Sequence, residues 1–150
     1  MANRTRRTSI GVSLLALMAT TSGGVDRNIS LTYDEAWKRT LQILALEGVT
    51  VTGNDKEAGI IQGNGTFQKE SKNFTCQKIR GRVESYTFNI SAAIRQTPAG
   101  AVVSIRAEGS ARSFEYRRFI FFRTSRVYYD TPCDSTGNLE ESLLSKLAGP

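Results

Sequence analysis

The 150-residue chain contains no histidine. This absence excludes the Ser-His-Asp and Cys-His arrangements of nucleophilic catalysis, and it removes a ligand on which most zinc sites depend. A phosphate-binding glycine loop is also missing, because the glycines at Gly63 and Gly65 lie within a β-type pattern and open no helix. The sequence therefore predicts no metal site and no cofactor.

Without histidine, a pair of carboxylates is the remaining route to hydrolysis, as in glycosidases. Three pairs lie close together in the chain: Asp34 and Glu35, Asp55 and Glu57, and Glu140 and Glu141. The first and third pairs fall in the first turns of predicted helices, where negative charge complements the helix dipole. The second pair falls in a predicted turn. Each position thus has a structural explanation, and we expect the protein to be non-enzymatic.

Cysteine is scarce, with only Cys76 and Cys133 in the chain. In an exported chain, a low and even count is typical of one disulfide, and two free thiols are the alternative. The bridge would tie the polar loop at residues 68–82 to the segment before the last predicted helix. The bridge would close a loop of nearly sixty residues between Cys76 and Cys133. In the chain-entropy treatment, such a cross-link stabilises the fold by about 4 kcal/mol.

Long apolar runs are also missing. The most apolar stretch, Ile10 to Ala19, is about ten residues long, follows Arg4, Arg6 and Arg7, and precedes small polar residues. This order predicts a cleavable signal peptide over residues 1–24, and a buried helix or a signal anchor is the alternative. The apolar run itself is too short to span a bilayer comfortably. No cysteine lies near its end, so bacterial lipidation is not expected there. We expect a periplasmic or secreted protein with no transmembrane span after cleavage.

Residues 25–150 are long enough for a single domain with one core. Residues 1–24 hold three arginines and no acidic residue, so their removal lowers the net charge from +6 to +3. Thr32 with Glu35 forms a capping-box pattern, and Trp37 lies on the apolar face of the helix predicted over residues 33–47. We expect Trp37 to belong to the core.

Alternating patterns predict strands over residues 49–52, 60–67, 83–95 and 101–111. Asn138 is expected to cap a final helix whose apolar stripe is formed by Leu139, Leu143 and Leu147. The predicted class is α+β: a two-layer sandwich in which an antiparallel meander of four to six strands carries an N-terminal and a C-terminal helix on one face.

The unit from Thr32 to Phe67 carries a family resemblance. A helix ending in Leu44-x-x-x-Gly48 precedes V-x-V and then the sequence D-K-E-A-G-I-I of residues 55–61. It resembles the repeated domain of the C subunit of the outer-membrane β-barrel assembly machine and related bacterial lipoprotein domains. The resemblance implies a non-catalytic envelope protein that acts through contacts. The chain departs from it in lacking a lipidation cysteine and in its predicted disulfide.

The segment from Ser113 to Asp130 interleaves arginines with aromatic residues. Such a pattern suits an anionic surface or a protein partner, and it is also compatible with paired strands whose arginines are simply solvated. Nucleic acid is not expected as a partner of an exported protein. The segment either extends the sheet or forms a separate hairpin, and an exposed edge strand there would also pair with a partner strand. The candidate contact residues are Arg117, Arg118, Arg123, Arg126, Phe119 and Phe121.

Three functional hypotheses follow. The leading one is an exported envelope protein that binds an envelope protein or an anionic envelope surface. The second is a small ligand-binding or enzymatic domain with a pocket between the helix at residues 33–47 and the sheet. A structure in which Trp37, Leu41 and Phe88 fill that space would exclude this pocket. The third is a secreted effector or inhibitor with a single partner.

Overall fold

The computed structural model describes residues 24–68, 71–119 and 123–149. The predicted signal peptide, residues 1–24, lies outside these ranges except for Gly24. The elements in chain order are β1 (Val25–Ile29), α1 (Tyr33–Leu46), β2 (Thr50–Asp55), β3 (Ile60–Thr66), β4 (Phe74–Cys76), β5 (Arg82–Thr97), β6 (Gly100–Phe119), β7 (Arg123–Ser135) and α2 (Asn138–Ala148).

All the described strands join one antiparallel sheet in the order β2-β3-β5-β6-β7-β4, with β1 also paired to β6. Strand β6 is the longest, at 20 residues. One of its edges pairs with β5 over almost the whole length of β5. The other edge pairs first with β1, at residues 101–105, and then with β7, at residues 108–119.

The α+β class is confirmed, but the finer prediction differs from the structure in three ways. The sheet has seven strands, because the unpatterned segments at β1 and β4 also join it. The order is not a simple meander, because β1 pairs with β6. The helices do not cover a meander side by side in the way that was expected. Helix α1 packs on β2, β5 and β6, α2 packs on β6 and on the unpredicted strand β1, and the two helices contact each other.

Helix α1 begins as the sequence predicts. The Thr32 hydroxyl accepts a hydrogen bond from the Glu35 backbone N–H at 3.4 Å, and a Glu35 carboxylate oxygen accepts one from the Thr32 backbone N–H at 3.0 Å. Trp37 is only 6% exposed, which confirms its place in the core. The apolar stripe of α2 is likewise buried.

The expected cap of α2 is wrong. Asn138 is the first helical residue, and the residue before it, Gly137, makes no side-chain cap and has a φ of 84°. The Asn138 side-chain amide instead donates to the Lys72 carbonyl at 2.9 Å. Asn138 therefore fastens the start of α2 to the segment before β4.

Glu140 has a role that helix electrostatics did not suggest. It is completely buried. One carboxylate oxygen accepts from the Ala107 backbone N–H at 3.1 Å, and the other accepts from the Ser135 hydroxyl at 2.8 Å. Ala107 lies between the β1-paired and the β7-paired parts of β6. Glu140 thus supplies the acceptor that neither neighbouring strand provides to this buried N–H.

The disulfide between Cys76 and Cys133 is confirmed. It does not join two loops, as expected, because both cysteines lie on strands and face each other in the β4–β7 ladder, with Cα atoms 3.9 Å apart. The sequence pattern missed β4 because a strand of three residues is too short to show alternation. The bridge fastens β4 to the outer edge of β7.

Residues 77–81 must cross the sheet, since β4 lies outside β7 and β5 lies on the far side of β6. Ile79 packs against the core during this crossing. Gly81 has a φ of 73°, and a Cβ there would overlap the Phe114 carbonyl oxygen. Glycine is required at this position by both conformation and space.

Close packing explains the glycines of β3. A Cβ on Gly63 would lie 2.6 Å from Val49 Cγ1 and 3.0 Å from the Thr50 carbonyl oxygen, and one on Gly65 would meet the Phe88 ring. The close approach at these glycines is therefore made by β5 and by the start of β2 with the residue before it, Val49. The register shift in this region lies in β2, between Val51 and Gly53.

We predict that Gly63→Ala destabilises the protein by about 1–3 kcal/mol, because the new methyl group overpacks a buried site beside a backbone oxygen. Urea denaturation measures this change. The matched control is Gly53→Ala, where the nearest atom to the new Cβ, Gln62 Oε1, lies 3.6 Å away. Equal midpoints for the two variants would contradict the packing argument.

Acid should weaken α1. Hydrogen bonds from Thr32 lower the pKa of Glu35, and Lys56, whose Nζ lies 2.6 Å from Asp34 Oδ1, lowers the pKa of Asp34. A pKa lowered by folding contributes stability above the unfolded-state pKa, and this contribution is lost as the pH falls through the folded-state value. We expect Glu35→Ala to lower the melting temperature at pH 7, and the difference from the parent protein to shrink as the pH falls below about 4. A difference independent of pH would contradict this, and Glu57→Ala serves as the control.

Candidate functional site

The arginine–aromatic segment extends the sheet as a hairpin. Strand β6 continues to Phe119, β7 begins at Arg123, and Tyr116, Arg117 and Arg118 lie opposite Arg126, Ser125 and Thr124. Of the two alternatives that the sequence left open, the segment therefore extends the sheet and does not form a separate hairpin. We call residues 112–119 and 123–130 the arginine–aromatic hairpin. Because β5 pairs with β6 only as far as Phe114, the described residues beyond it form a two-stranded ribbon.

Alternation divides the hairpin side chains between two faces. Odd-numbered residues of β6 and β7 lie on one face of the sheet. Outside the hairpin this face is buried in the core, at Val103, Ile105 and Cys133. Even-numbered residues share the opposite face, which we call the open face. The open-face residues of the hairpin are Arg112, Phe114, Tyr116, Arg118, Thr124, Arg126, Tyr128 and Asp130.

A guanidinium stack organises the open face. Phe114 is only 9% exposed, although it lies on the side of the sheet away from the main core. The Arg126 guanidinium carbon lies 5.0 Å from the centre of the Phe114 ring and 5.6 Å from that of Tyr116. The Tyr116 ring meets Phe114 edge-on at 5.5 Å. Arg126 therefore covers an aromatic pair while keeping its charge at the surface.

A second cation–π contact extends this cluster. The Arg112 guanidinium carbon lies 5.0 Å from the centre of the Tyr128 ring, and Arg112 Nε is 3.8 Å from a Glu84 carboxylate oxygen. The Tyr128 hydroxyl and then that of Tyr116 raise the pKa of Arg126. Both tyrosines remain well exposed, at 43% for Tyr128 and 58% for Tyr116. The face thus presents aromatic rings and guanidinium groups together.

The other face of the hairpin holds a short polar chain. Arg117 Nη2 donates to the Tyr129 hydroxyl at 2.7 Å, and this hydroxyl donates to a Glu115 carboxylate oxygen at 3.4 Å. Because successive residues of a strand face opposite sides, Arg117 lies on this face and its neighbour Arg118 on the open face. Both side chains are exposed.

The predicted contact residues fall into two groups. Arg117, Arg118 and Arg126 are exposed on the hairpin. Phe119 and Arg123 face each other across the ladder, and their side chains, like the whole of Phe121, lie outside the described residues. Four residues that the sequence prediction did not single out complete the cluster on the open face: Arg112, Phe114, Tyr116 and Tyr128. These residues lie at every second position of their strands, and this alternation was the sequence signal that could have identified them.

The remainder of the open face is mostly neutral and polar. A shallow depression of about 420 Å³ includes Thr52, Gln62, Asn89 and Ser91 from three strands, with Arg106 and Glu108 at one side. An ion pair of 2.9 Å between these last two residues lowers the attraction of this region for a charged ligand. Strand β5 adds two exposed arginines to this face outside the hairpin, Arg82 opposite Phe114 and Arg95 opposite Val102. The closest grouping of guanidinium groups and aromatic rings on the face is in the hairpin.

The space between α1 and the sheet is filled. Trp37 and Phe88 are both buried, and Leu41 packs against the same core. A small-ligand pocket at this place would need these side chains to move apart.

Comparison of the sequence with protein-family models and with curated proteins found no match. Within residues 24–68, 71–119 and 123–149, no helix is both long enough and apolar enough to cross a membrane. The same residues contain no group of three acidic or cysteine side chains suited to a metal ion.

We predict that Arg126→Ala lowers the free energy of unfolding, because the guanidinium no longer covers Phe114 and Tyr116. Native-state hydrogen exchange should localise this loss to the hairpin amides and leave α1 protected. Arg118→Ala, one ladder position further out on the same face, is the control and should change stability by less than about 0.5 kcal/mol. An equal effect of both substitutions would contradict the stacking role.

Proposed function

We propose that this protein is an exported, non-enzymatic protein of the bacterial envelope that binds an anionic partner through its arginine–aromatic hairpin. The observation that carries the proposal is the guanidinium stack on Phe114 and Tyr116. It holds a cation at the surface of a ribbon that extends beyond the region where β5 pairs with β6.

The distribution of charge supports an anionic partner. Residues 112–130 hold five arginines and two acidic residues, a net charge of +3. Residues 25–150 as a whole also have a net charge of +3, so the remainder of this part of the chain is neutral. The hairpin is one of two locally positive stretches, the other being residues 71–82 with four basic residues and no acidic one. Such a local excess of charge would attract an anionic surface from solution.

The type of residue supports the same conclusion. Every cation of residues 112–130 is an arginine, and none is a lysine. A planar guanidinium stacks on aromatic rings and still donates two parallel hydrogen bonds to a carboxylate or a phosphate. The aromatic rings of the hairpin thus hold guanidinium groups in place, and those groups can bind the oxygen atoms of a carboxylate or a phosphate.

Export is supported by the predicted signal peptide at residues 1–24 and by the disulfide, which persists in oxidising compartments. The resemblance of residues 32–67 to envelope lipoprotein domains points to the same location. The small-ligand alternative loses its expected pocket to Trp37, Leu41 and Phe88. A secreted effector or inhibitor would use the same hairpin and would differ only in the identity of its partner.

The test is charge reversal. We expect Arg117→Glu combined with Arg118→Glu to leave the fold intact, because both side chains are exposed, and to reduce association of the periplasmic protein with an envelope fraction at least tenfold. Co-sedimentation measures this association, and raising the ionic strength should also weaken it.

The matched control is Arg95→Glu combined with Lys72→Glu. It changes the net charge by the same amount, at two exposed positions away from the hairpin. The control should retain association. If the hairpin variant sediments like the parent protein, the proposal is wrong.

A further inference from the structure

The outer edge of β7 has backbone groups that the sheet leaves unpaired. Strand β4 pairs only with residues Cys133, Asp134 and Ser135 of β7, and the Gln77 N–H then donates to the Pro132 carbonyl at 3.5 Å. In an antiparallel ladder, alternate residues direct both backbone groups to the same side. Since Pro132 faces outward, the residues two, four, six and eight positions before it must face outward as well. These are Asp130, Tyr128, Arg126 and Thr124.

Within the described ranges of the chain, no strand pairs with this edge between Thr124 and Asp130. The side chains of its outward-facing residues are exposed. Pro132 bounds the edge on one side, because it has no N–H to continue a ladder. Four consecutive outward-facing residues are enough for a short added strand, the mode in which many proteins bind extended peptides.

The charge of the hairpin selects the occupant. A second copy of the chain at this edge would bring two hairpins of net charge +3 together, and the repulsion opposes such a dimer. An acidic segment is attracted instead. Arg126 lies on the edge strand itself and Arg118 is on the same face of the neighbouring strand, so both are placed to meet carboxylates on alternate residues of an added strand.

Resting on the function proposed above, we propose that the β7 edge from Thr124 to Asp130 binds an acidic polypeptide segment in extended conformation as an additional strand of the sheet. The backbone groups of the edge supply the affinity, and the arginines select acidic side chains at every second position. The partner is then a protein with an acidic, extended segment and not a lipid surface.

The edge is tested by the pair Asp130→Pro and Asp130→Ala, with a fluorescent ten-residue peptide of alternating glutamate and valine as the probe. Both substitutions remove the same negative charge from the edge, but only proline removes the outward N–H. We expect Asp130→Ala to bind the peptide at least as tightly as the parent protein and Asp130→Pro to bind it about fivefold more weakly, as loss of one hydrogen bond implies. Binding is measured by fluorescence anisotropy.

The pair Thr124→Pro and Thr124→Ala repeats the comparison at the other end of the edge without a change of charge. It replaces the Asp130 pair if circular dichroism shows that Asp130→Pro is misfolded. A peptide with lysine in place of glutamate should bind at least tenfold more weakly than the acidic peptide.

The outcomes separate the two proposals. If charge reversal at Arg117 and Arg118 weakens envelope association but the proline and alanine variants bind the peptide equally, strand addition is wrong and the anionic contact stands. If vesicles containing phosphatidylglycerol bind the protein and the acidic peptide does not, the partner is a lipid surface and the inference is overturned. If charge reversal has no effect on envelope association, the proposed function itself fails.

Discussion

The backbone of β6 is the constraint on which the rest of the structure depends. A strand of 20 residues presents hydrogen-bonding groups along both edges, and each buried group needs a partner. Strand β5 satisfies one edge, β1 and β7 share the other, and Glu140 fills the interval between them at Ala107. The N-terminal strand, the crossing segment and the start of α2 all have their positions because β6 requires partners at these points.

The same length of β6 separates the molecule into two regions with different chemistry. Up to Ala111 its odd-numbered side chains face the core, and its open face carries two serines and the Arg106–Glu108 ion pair. Beyond Phe114, β5 no longer pairs with β6, and the described part of the ribbon has only two strands. The hairpin responds by packing its rings on the open face, where arginines cover them. The stack is therefore both the local core of the hairpin and its charged surface.

Sequence reasoning succeeded where a pattern repeats over many residues. The capping box of Thr32 and Glu35, the core position of Trp37, and the long alternation of β5 all follow from periodicity and local chemistry. It failed for β1 and β4, because five and three residues carry almost no periodic signal and their pairing is decided by the free edges of β6 and β7.

The candidate site shows the same limit. The richness of residues 113–130 in arginine and aromatic residues marked the segment, but composition alone placed Arg117 and Arg118 together, whereas alternation puts them on opposite faces. Glu140 was explained by the helix dipole because nothing local reveals that its partner is a backbone N–H more than 30 residues away. Contacts set by topology are invisible until the topology is known.

Arginines beside an open strand edge have a second explanation, which is protection against aggregation. The edge strand β2 and the open part of β7, from Thr124 to Asp130, allow the explanations to be compared. Edge strand β2 is irregular, with a register shift between Val51 and Gly53 that disturbs its ladder, and it carries one acidic residue and no arginine. The ladder of β7 with β6 is regular from Arg123 to Asp134. A strand that needed only protection would be served by the same irregularity, whereas a regular ladder with oriented cations repels a second copy and remains able to pair with an acidic strand. The regularity of β7, together with its charge, therefore favours binding over simple protection.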